Sequence, residues 1–238
     1  MKLTQRNWPK EVKNLPTLYL VATPIGNLGD ITIRAIETLK SVDLIVCEDT
    51  RVFGKLAKTY QIEKRLLAMN DFNEQSRMQQ VLLELTSGKN VALVSDAGTP
   101  LISDPGYKLV REAQALGIKV ESIPGPSSVI SALTVSGLPP DKFLFLGYLP
   151  KKENKRRESL ANLKRIKDLA SFTAVVFESP YRLLALLMDI KSIFGDIDIV
   201  ICRELTKLHE EVRREKLSAS CEHFSAVSPK GEFTILFQ

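Results

Sequence analysis

The sequence has only three cysteines, Cys47, Cys202 and Cys221, and two histidines, His209 and His223. No two cysteines stand at CxxC spacing, and an odd number argues against a disulfide framework. The histidines are too far apart for an HExxH metal helix, so no metal site is expected. Such sparing cysteine use fits a reducing cytoplasm. No stretch approaches the roughly 18 apolar residues of a membrane span. The opening residues MKLTQRNWPKEVKN lack an apolar signal core, so neither a signal peptide nor a membrane partner is expected. Nucleotide fingerprints are missing as well. Neither GxGxxG nor a Walker A loop occurs, which argues against a nicotinamide-dependent oxidoreductase.

What remains is a globular composition. Hydrophobic residues make up 44% and charged residues 26%, which excludes a disordered chain, a collagen and a coiled coil. A chain of 238 residues makes one large domain or two small ones and buries a real core. The net charge is +5, and it is concentrated. Segment Lys151–Lys167 (KKENKRRESLANLKRIK) holds eight basic and two acidic residues, a net +6, so the rest of the chain sums to −1. A basic patch points to a polyanion such as nucleic acid. The other reading is a solvated loop and helix face.

Apolar runs alternate with helical patterns along the chain. Strands are expected at Thr17–Ala22, Asp43–Cys47, Val91–Ser95, Lys119–Ile123, Phe143–Gly147, Thr173–Phe177, Asp198–Cys202 and Glu232–Phe237. Most are continuously apolar, as strands covered on both faces are. Asp30 is expected to cap one helix, Gly106–Leu116 to form another, and Ser179–Pro180 to open a third that Gly195 closes. The alternation predicts an α/β fold with mostly parallel sheets. The turn-rich SIPGPSS stretch (Ser122–Ser128) is the best boundary. It divides a polar tail at residues 1–15 and an N-terminal α/β domain at 16–125 from a C-terminal α/β domain at 126–238.

Unusual segments follow several expected strands, at the edge where open α/β sheets bind ligands. VATPIGNLGDIT (Val21–Thr32) is a glycine-containing turn that opens a helix; it can admit an anion or be an ordinary turn. CEDTR (Cys47–Arg51) places Glu48, Asp49 and Arg51 at a strand end, where Asp49 or Thr50 can equally serve as a helix cap beside a surface ion pair. VSDAGTPLISDPG (Val94–Gly106) is too irregular for helix or strand, and long loops in compact domains are usually functional. In it, Asp96 can accept hydrogen bonds from a ribose or an amine. FESPYR (Phe177–Arg182) and RELTKLHEE (Arg203–Glu211) complete the set.

Taken in order, LYLVATPIGNLGDIT, CEDTR, VSDAGTPLISDPG, IPGPSS, FLFLGYLPKK, FESPYRLL and RELTKLHEE resemble the tetrapyrrole methylase superfamily of S-adenosylmethionine (SAM) enzymes. They resemble most its branch acting on small-subunit ribosomal RNA. The resemblance runs from about Leu18 to Phe237. It implies two α/β domains with SAM in the cleft between them, and a homodimer. The implied reaction is methyl transfer to the ribose 2′-hydroxyl of a cytidine in small-subunit (16S) ribosomal RNA, free or in the 30S subunit. The implied SAM contacts are Pro24, Ile25, Asp96, Ala97, Gly98, Leu101, Ile102, Ser103, Ser127, Ser128, Phe177, Leu205 and Gly231. Glu48, Asp49 and Glu204 are candidate bases, with Arg51, Arg203 and Lys207 to hold phosphate or a developing alkoxide. Lys151, Lys152, Lys155, Arg156, Arg157, Lys164 and Arg165 are the candidate RNA contacts.

Two departures stand out. The family segment resembling SYHEHNE reads AMNDFNEQS (Ala68–Ser76) here, with no histidine. Longer members carry an extension after the last strand, whereas this chain stops at Gln238; if that extension helps grip the ribosome, the grip here is expected to lean on the basic segment or on Lys2, Arg6, Lys10 and Lys13. Two rival readings follow: another methyltransferase of the superfamily acting on a corrin ring or a protein side chain, and an RNA-binding module without catalysis.

Overall fold

The computed structural model describes residues 16–238; the tail expected over residues 1–15, with Lys2, Arg6, Lys10 and Lys13, lies outside them. The described chain forms two compact units, one of residues 16–23 and 31–125, the other of Pro24–Asp30 and Pro126–Gln238.

The first unit alternates β1 (Thr17–Val21), α1 (Ile33–Ser41), β2 (Leu44–Cys47), α2 (Thr50–Tyr60), β3 (Arg65–Ala68), α3 (Glu74–Thr86), β4 (Val91–Val94), α4 (Tyr107–Ala115) and β5 (Lys119–Ile123). Its sheet runs β3-β2-β4-β1-β5, with every pairing parallel. LIVC of β2 and VALV of β4 are buried at every position because helices cover both faces. Ala35, Leu39, Phe53 and Leu56 of α1 and α2 pack on one face. Met78, Val81, Leu85, Leu109 and Ala113 of α3 and α4 pack on the other. Strands β1 and β4 are neighbours, yet the helices that follow them lie on opposite faces. That is a topological switch point, where such sheets open a crevice at their carboxyl edge.

Asp30 does not cap α1. It closes a single 3-10 turn at Leu28–Asp30, and Thr32 is the cap, its hydroxyl accepting from Ala35 N at 3.1 Å. Helix α4 starts one residue later than expected, at Tyr107, after a left-handed Gly106.

The second unit holds α5 (Ser128–Ser136), β6 (Phe143–Tyr148), α6 (Glu153–Leu169), β7 (Thr173–Glu178), α7 (Leu183–Phe194), β8 (Asp198–Arg203), β9 (Glu211–Lys216), α8 (Leu217–Ala226) and β10 (Phe233–Phe237). Its sheet runs β6-β7-β10-β8-β9. Only β6 and β7 pair in parallel; β10 runs against both neighbours, and β8 against β9. The expectation of mostly parallel sheets therefore fails in this unit. Strand β10 returns after a helix to fill the gap between β7 and β8, and β8 turns back directly into β9. Helices α6, α7 and α8 cover one face. Helix α5 and Ile25 cover the other. Ser179–Pro180 does not open α7. Pro180–Arg182 form a turn, and the helix starts at Leu183 and ends at Gly195 as expected.

Strands β3 and β9 are absent from the expected set. Both are edge strands. In β9 (EVRREK) five of six residues are charged. Charge on an edge is how sheets resist unwanted pairing, and it erases the hydrophobic signal. Cys47 and Cys202 are buried in strands as expected.

Candidate functional site

At the carboxyl edge of the first sheet, the loops after β1 and β4 are joined. Thr23 and Gly98 exchange backbone hydrogen bonds of 2.9 and 3.0 Å. The Thr23 hydroxyl donates to Ser95 O at 3.0 Å, and the Ser95 hydroxyl to Gly98 O at 3.1 Å. This fixes Asp96, Ala97 and Gly98 at the switch point. The loop continues through left-handed Leu101 (φ 75°) and Ser103 (φ 69°). Such backbone costs about 1–3 kcal/mol per non-glycine residue and concentrates at functional sites. Gly106 (φ 121°) ends it, where a Cβ would lie 2.7 Å from Leu93 Cδ2. Ile102 and Ser103 face solvent; Leu101 is half-buried.

Carboxylates gather at this edge. The Asp49 backbone N–H donates to Asp96 Oδ1 at 3.1 Å, tying the β2 end to the β4 end. Burial raises Glu48 above the usual carboxylate range, and Asp96 and Asp71 add to the rise. Burial raises Asp96 as well. Asp104 is pushed up to about 7 by burial and then by Glu48, with Asp96 and Asp71 adding. Among the described residues, Glu48, Asp96 and Asp104 have no ion-pair partner. Asp104 was not among the expected site residues. The only signal for it was its place in SDPG, within the loop already singled out.

Asp49 has a different task. It caps α2, accepting from Arg51 N at 2.8 Å, and its Oδ2 lies 2.6 Å from Arg51 Nη2. Those Arg51 hydrogen bonds hold its carboxyl down at about 2. The turn that lacks the family's histidine sits at the same edge. Phe72 N donates to Asn70 Oδ1 at 3.2 Å, and Asn70 N to Asn73 Oδ1 at 2.9 Å.

In the second unit, Pro24 and Ile25 are buried, Ile25 against Val129, Leu133, Val175 and Leu205. A Cβ on Gly26 would fall against Lys207 Cγ and 2.9 Å from Leu205 O, so only glycine fits. Asn27 N donates to Thr206 Oγ1 at 3.1 Å. Leu205 is flanked by left-handed Glu204 (φ 50°) and Thr206 (φ 66°). Glu204 and Lys207 are occupied with each other. Lys207 Nζ lies 2.9 Å from Glu204 Oε1 and 2.9 Å from Glu232 Oε2. Glu232 N donates to Glu204 Oε1 at 2.9 Å. Burial works against the Glu204 charge, but Lys207 and that N–H hold the carboxyl below its ordinary value. Gly231 (φ 96°) leaves room for this carboxylate; a Cβ there would lie 2.6 Å from Glu204 Cγ. Ser127 and Ser128 open α5, and Phe177 packs edge-on to Phe145 at 4.8 Å.

Helix α6 carries most of the basic segment, with Lys151 and Lys152 just ahead of it. Lys151, Lys152, Lys155, Arg157, Lys164 and Arg165 are exposed. Arg156 is not part of that surface. It is 6% exposed, and its Nε donates to Asp189 Oδ2 at 2.7 Å. Arg156 shares the buried stripe of α6 with Leu160 and Leu163, a helical period that turns it inward. Among the described residues, no group of three or more His, Cys, Asp or Glu is placed to hold a metal, and no helix is long and apolar enough to cross a membrane.

The family model for Tetrapyrrole (Corrin/Porphyrin) Methylases matches residues 17–220. A Thermotoga maritima protein named ribosomal RNA small subunit methyltransferase I is 50% identical over 219 residues, 92% of this chain and 96% of that protein. Proteins of the same name from Mesorhizobium japonicum and Synechocystis are 48% and 46% identical over 92% of this chain, and 74% and 77% of theirs. In fold the chain is similar to a crystal structure of diphthine synthase, with a TM-score of 0.73 over 93% of this chain and 89% of that one, at 15% identity. With its two α/β units and these relatives, the chain belongs to the tetrapyrrole methylase family and, within it, to the ribosomal RNA small subunit methyltransferase I family.

Proposed function

We propose that the chain is a SAM-dependent methyltransferase acting on the ribose 2′-hydroxyl of a cytidine in small-subunit (16S) ribosomal RNA. The observation that carries this reading is the 50% identity along 219 residues with a protein of that name. The same reading makes it a cytoplasmic homodimer that meets its RNA free or within the 30S subunit.

The first unit fits SAM. A sulfonium and an ammonium are both cations, and Glu48, Asp96 and Asp104 crowd negative charge that burial leaves unbalanced. A cationic ligand relieves that cost. Asp96, Ala97, Gly98, Leu101, Ile102 and Ser103 would hold it, and the resemblance adds the second-unit positions named above. When bound, SAM supplies an activated methyl group.

The chain's own work is positioning and proton removal. Positioning two reactants contributes about 7–11 kcal/mol. A ribose hydroxyl is a weak nucleophile, and a carboxylate that takes its proton contributes about 10²–10⁴-fold. Asp49 is committed to Arg51 and Glu204 to Lys207. Glu48 and Asp104 are left for the base, since a carboxyl raised toward neutrality is the better proton acceptor. The exposed cations of α6 would grip RNA phosphates.

The test is incubation of the protein with methyl-labelled SAM and unmethylated small subunits. Label on one ribose 2′-oxygen is expected. SAM binding without transfer to RNA would overturn the substrate, and absence of SAM binding would overturn the enzyme.

A further inference from the structure

Two partly or fully exposed aromatic rings lie in the loops that lead into α6 and α7. Tyr181, in the turn between β7 and α7, is 96% exposed, and Tyr148, the last residue of β6, is 55% exposed. Strands β6 and β7 are parallel neighbours, and Tyr148 is in register with Phe177. Both loops therefore leave the same edge of the sheet. Lys151 and Lys152 follow Tyr148 after Leu149 and Pro150 and lead into α6.

These loops are held by buried ions. Arg182 Nη2 donates to Leu149 O at 2.7 Å, which fastens the residue after Tyr181 to the residue after Tyr148. Arg182 Nη2 also lies 3.0 Å from Glu178 Oε2, and Glu178 is 1% exposed. Glu178 Oε1 accepts from Ser179 N at 2.7 Å. The buried Arg156 donates from Nη1 to Lys151 O at 3.4 Å while gripping Asp189. Tyr148 leans on the Phe177 ring, with centroids 5.7 Å apart. The result is a fixed edge that carries two aromatic rings on neighbouring loops, with Lys151 and Lys152 in the same loop as Tyr148 and the cations of α6 following in the chain. Rings interleaved with cations are how proteins take unpaired nucleic acid: cations follow the phosphates, and rings stack on splayed bases.

We propose that Tyr181, with Tyr148 on the neighbouring loop, is a stacking platform for unpaired bases of the RNA substrate, next to the phosphates gripped by α6. This rests on the RNA reading above and adds to it where on the chain bases are held. The platform reads a flat ring rather than a base edge, so it supplies affinity and register more than sequence choice.

The experiment measures binding of unmethylated small-subunit RNA across a salt series, together with kcat and KM for methyl transfer. Wild type is compared with Tyr181→Ala, Tyr181→Phe, Tyr148→Ala and Lys151→Gln/Lys152→Gln. Removing one stacking ring is expected to weaken RNA binding about tenfold and to raise KM more than it lowers kcat. The salt slope stays as in wild type, since no phosphate contact is lost. Tyr181→Phe restores binding. The lysine double variant lowers the slope. SAM affinity and melting temperature of Tyr181→Ala stay as in wild type, because the ring is exposed. If wild type methylates RNA and Tyr181→Ala binds it equally well, the platform is wrong while the function stands. If Tyr181→Phe is as weak as Tyr181→Ala, the contact is a hydroxyl hydrogen bond and stacking is wrong. If Tyr181→Ala instead shifts the sedimentation of the RNA-free protein, the ring packs on a second copy and the platform is wrong. If wild type neither binds nor methylates the RNA, both readings fall.

Discussion

Arg156 and Asp189 form a buried ion pair, each 6% exposed, with Arg156 Nε donating to Asp189 Oδ2 across 2.7 Å. It joins α6 to α7 beneath the exposed basic face. Removing one partner strands a buried charge, which costs about 3–5 kcal/mol. Asp189→Ala is therefore expected to lose that much stability in denaturant titration. Replacing both with well-packed apolar residues is expected to be nearly neutral. A negligible loss in Asp189→Ala would show that water reaches the guanidinium.

The salt dependence of RNA binding separates the cations of Lys151–Lys167 by the way they face. Each phosphate contact on a single strand contributes about 0.7 to the log–log slope. Lys151→Gln, Lys155→Gln and Arg165→Gln are each expected to lower the slope by about that much. Arg156→Gln is expected to lower stability and leave the slope alone, although it has the same charge in the sequence.

Asp104 makes a pH prediction with a definite sign. Its carboxyl ionises near 7 in the fold, against 3.8 ordinarily, so between those values the folded state binds more proton than the unfolded state. Stability from this group is present at acid pH and falls as pH rises from about 4 to 7. Glu48, also raised, acts in the same direction. Melting temperatures of Asp104→Asn should therefore gain on wild type as pH rises from 5 to 8. If Asp104 is the base, turnover of wild type rises through pH 7, and this acid limb is lost in Asp104→Asn, with a fall of about 10²–10⁴-fold.

A cation among those carboxylates drives off protons. SAM binding to the chain is expected to release protons at pH 6 and few at pH 8. Calorimetry in two buffers of different ionisation heat reads this directly. Equal apparent heats at pH 6 would place the cation away from Asp104.

Gly26→Ala tests the packing around Leu205. The new methyl meets Leu205 O and Thr206 Oγ1 at 2.9 Å, backbone and a tethered hydroxyl that give way poorly. Overpacking of this kind costs about 1–3 kcal/mol. A SAM affinity that falls with it would tie this loop to cofactor binding; unchanged affinity would leave it a structural turn.

Much of the fold was legible because its central strands are apolar end to end. VALV and LIVC have no polar face to disguise them. Of the four edge strands, β5 and β6 were legible and β3 and β9 were not. RLLA of β3 opens on an exposed Arg65 and is buried only at Leu67, and EVRREK of β9 reads as a solvated charge run, because edge position rather than local preference makes it a strand. Thr32 and Asp30 are both good caps, and only the preceding 3-10 turn decides between them. For the candidate site, the loops could be named but not their division of labour. Asp49 and Glu204 look as free as Glu48 in one dimension. Their cations, Arg51 and Lys207, lie two and three residues away and claim them in the fold. Arg156 was hidden by its charge, although its spacing to Leu160 and Leu163 marks the inward face.

The membership of Pro24–Asp30 in the second unit bears on how this chain can be divided. The polypeptide leaves the first unit after Thr23, returns at Ile31, and leaves again only after Gly125. A fragment starting at Pro126 would have an intact sheet but a hole where Ile25 fills the cluster of Val129, Val175, Val200 and Leu236. No single cut yields two complete halves. Expressing the second half alone would call for the heptapeptide Pro24–Asp30 to be supplied in trans or spliced onto the new N-terminus.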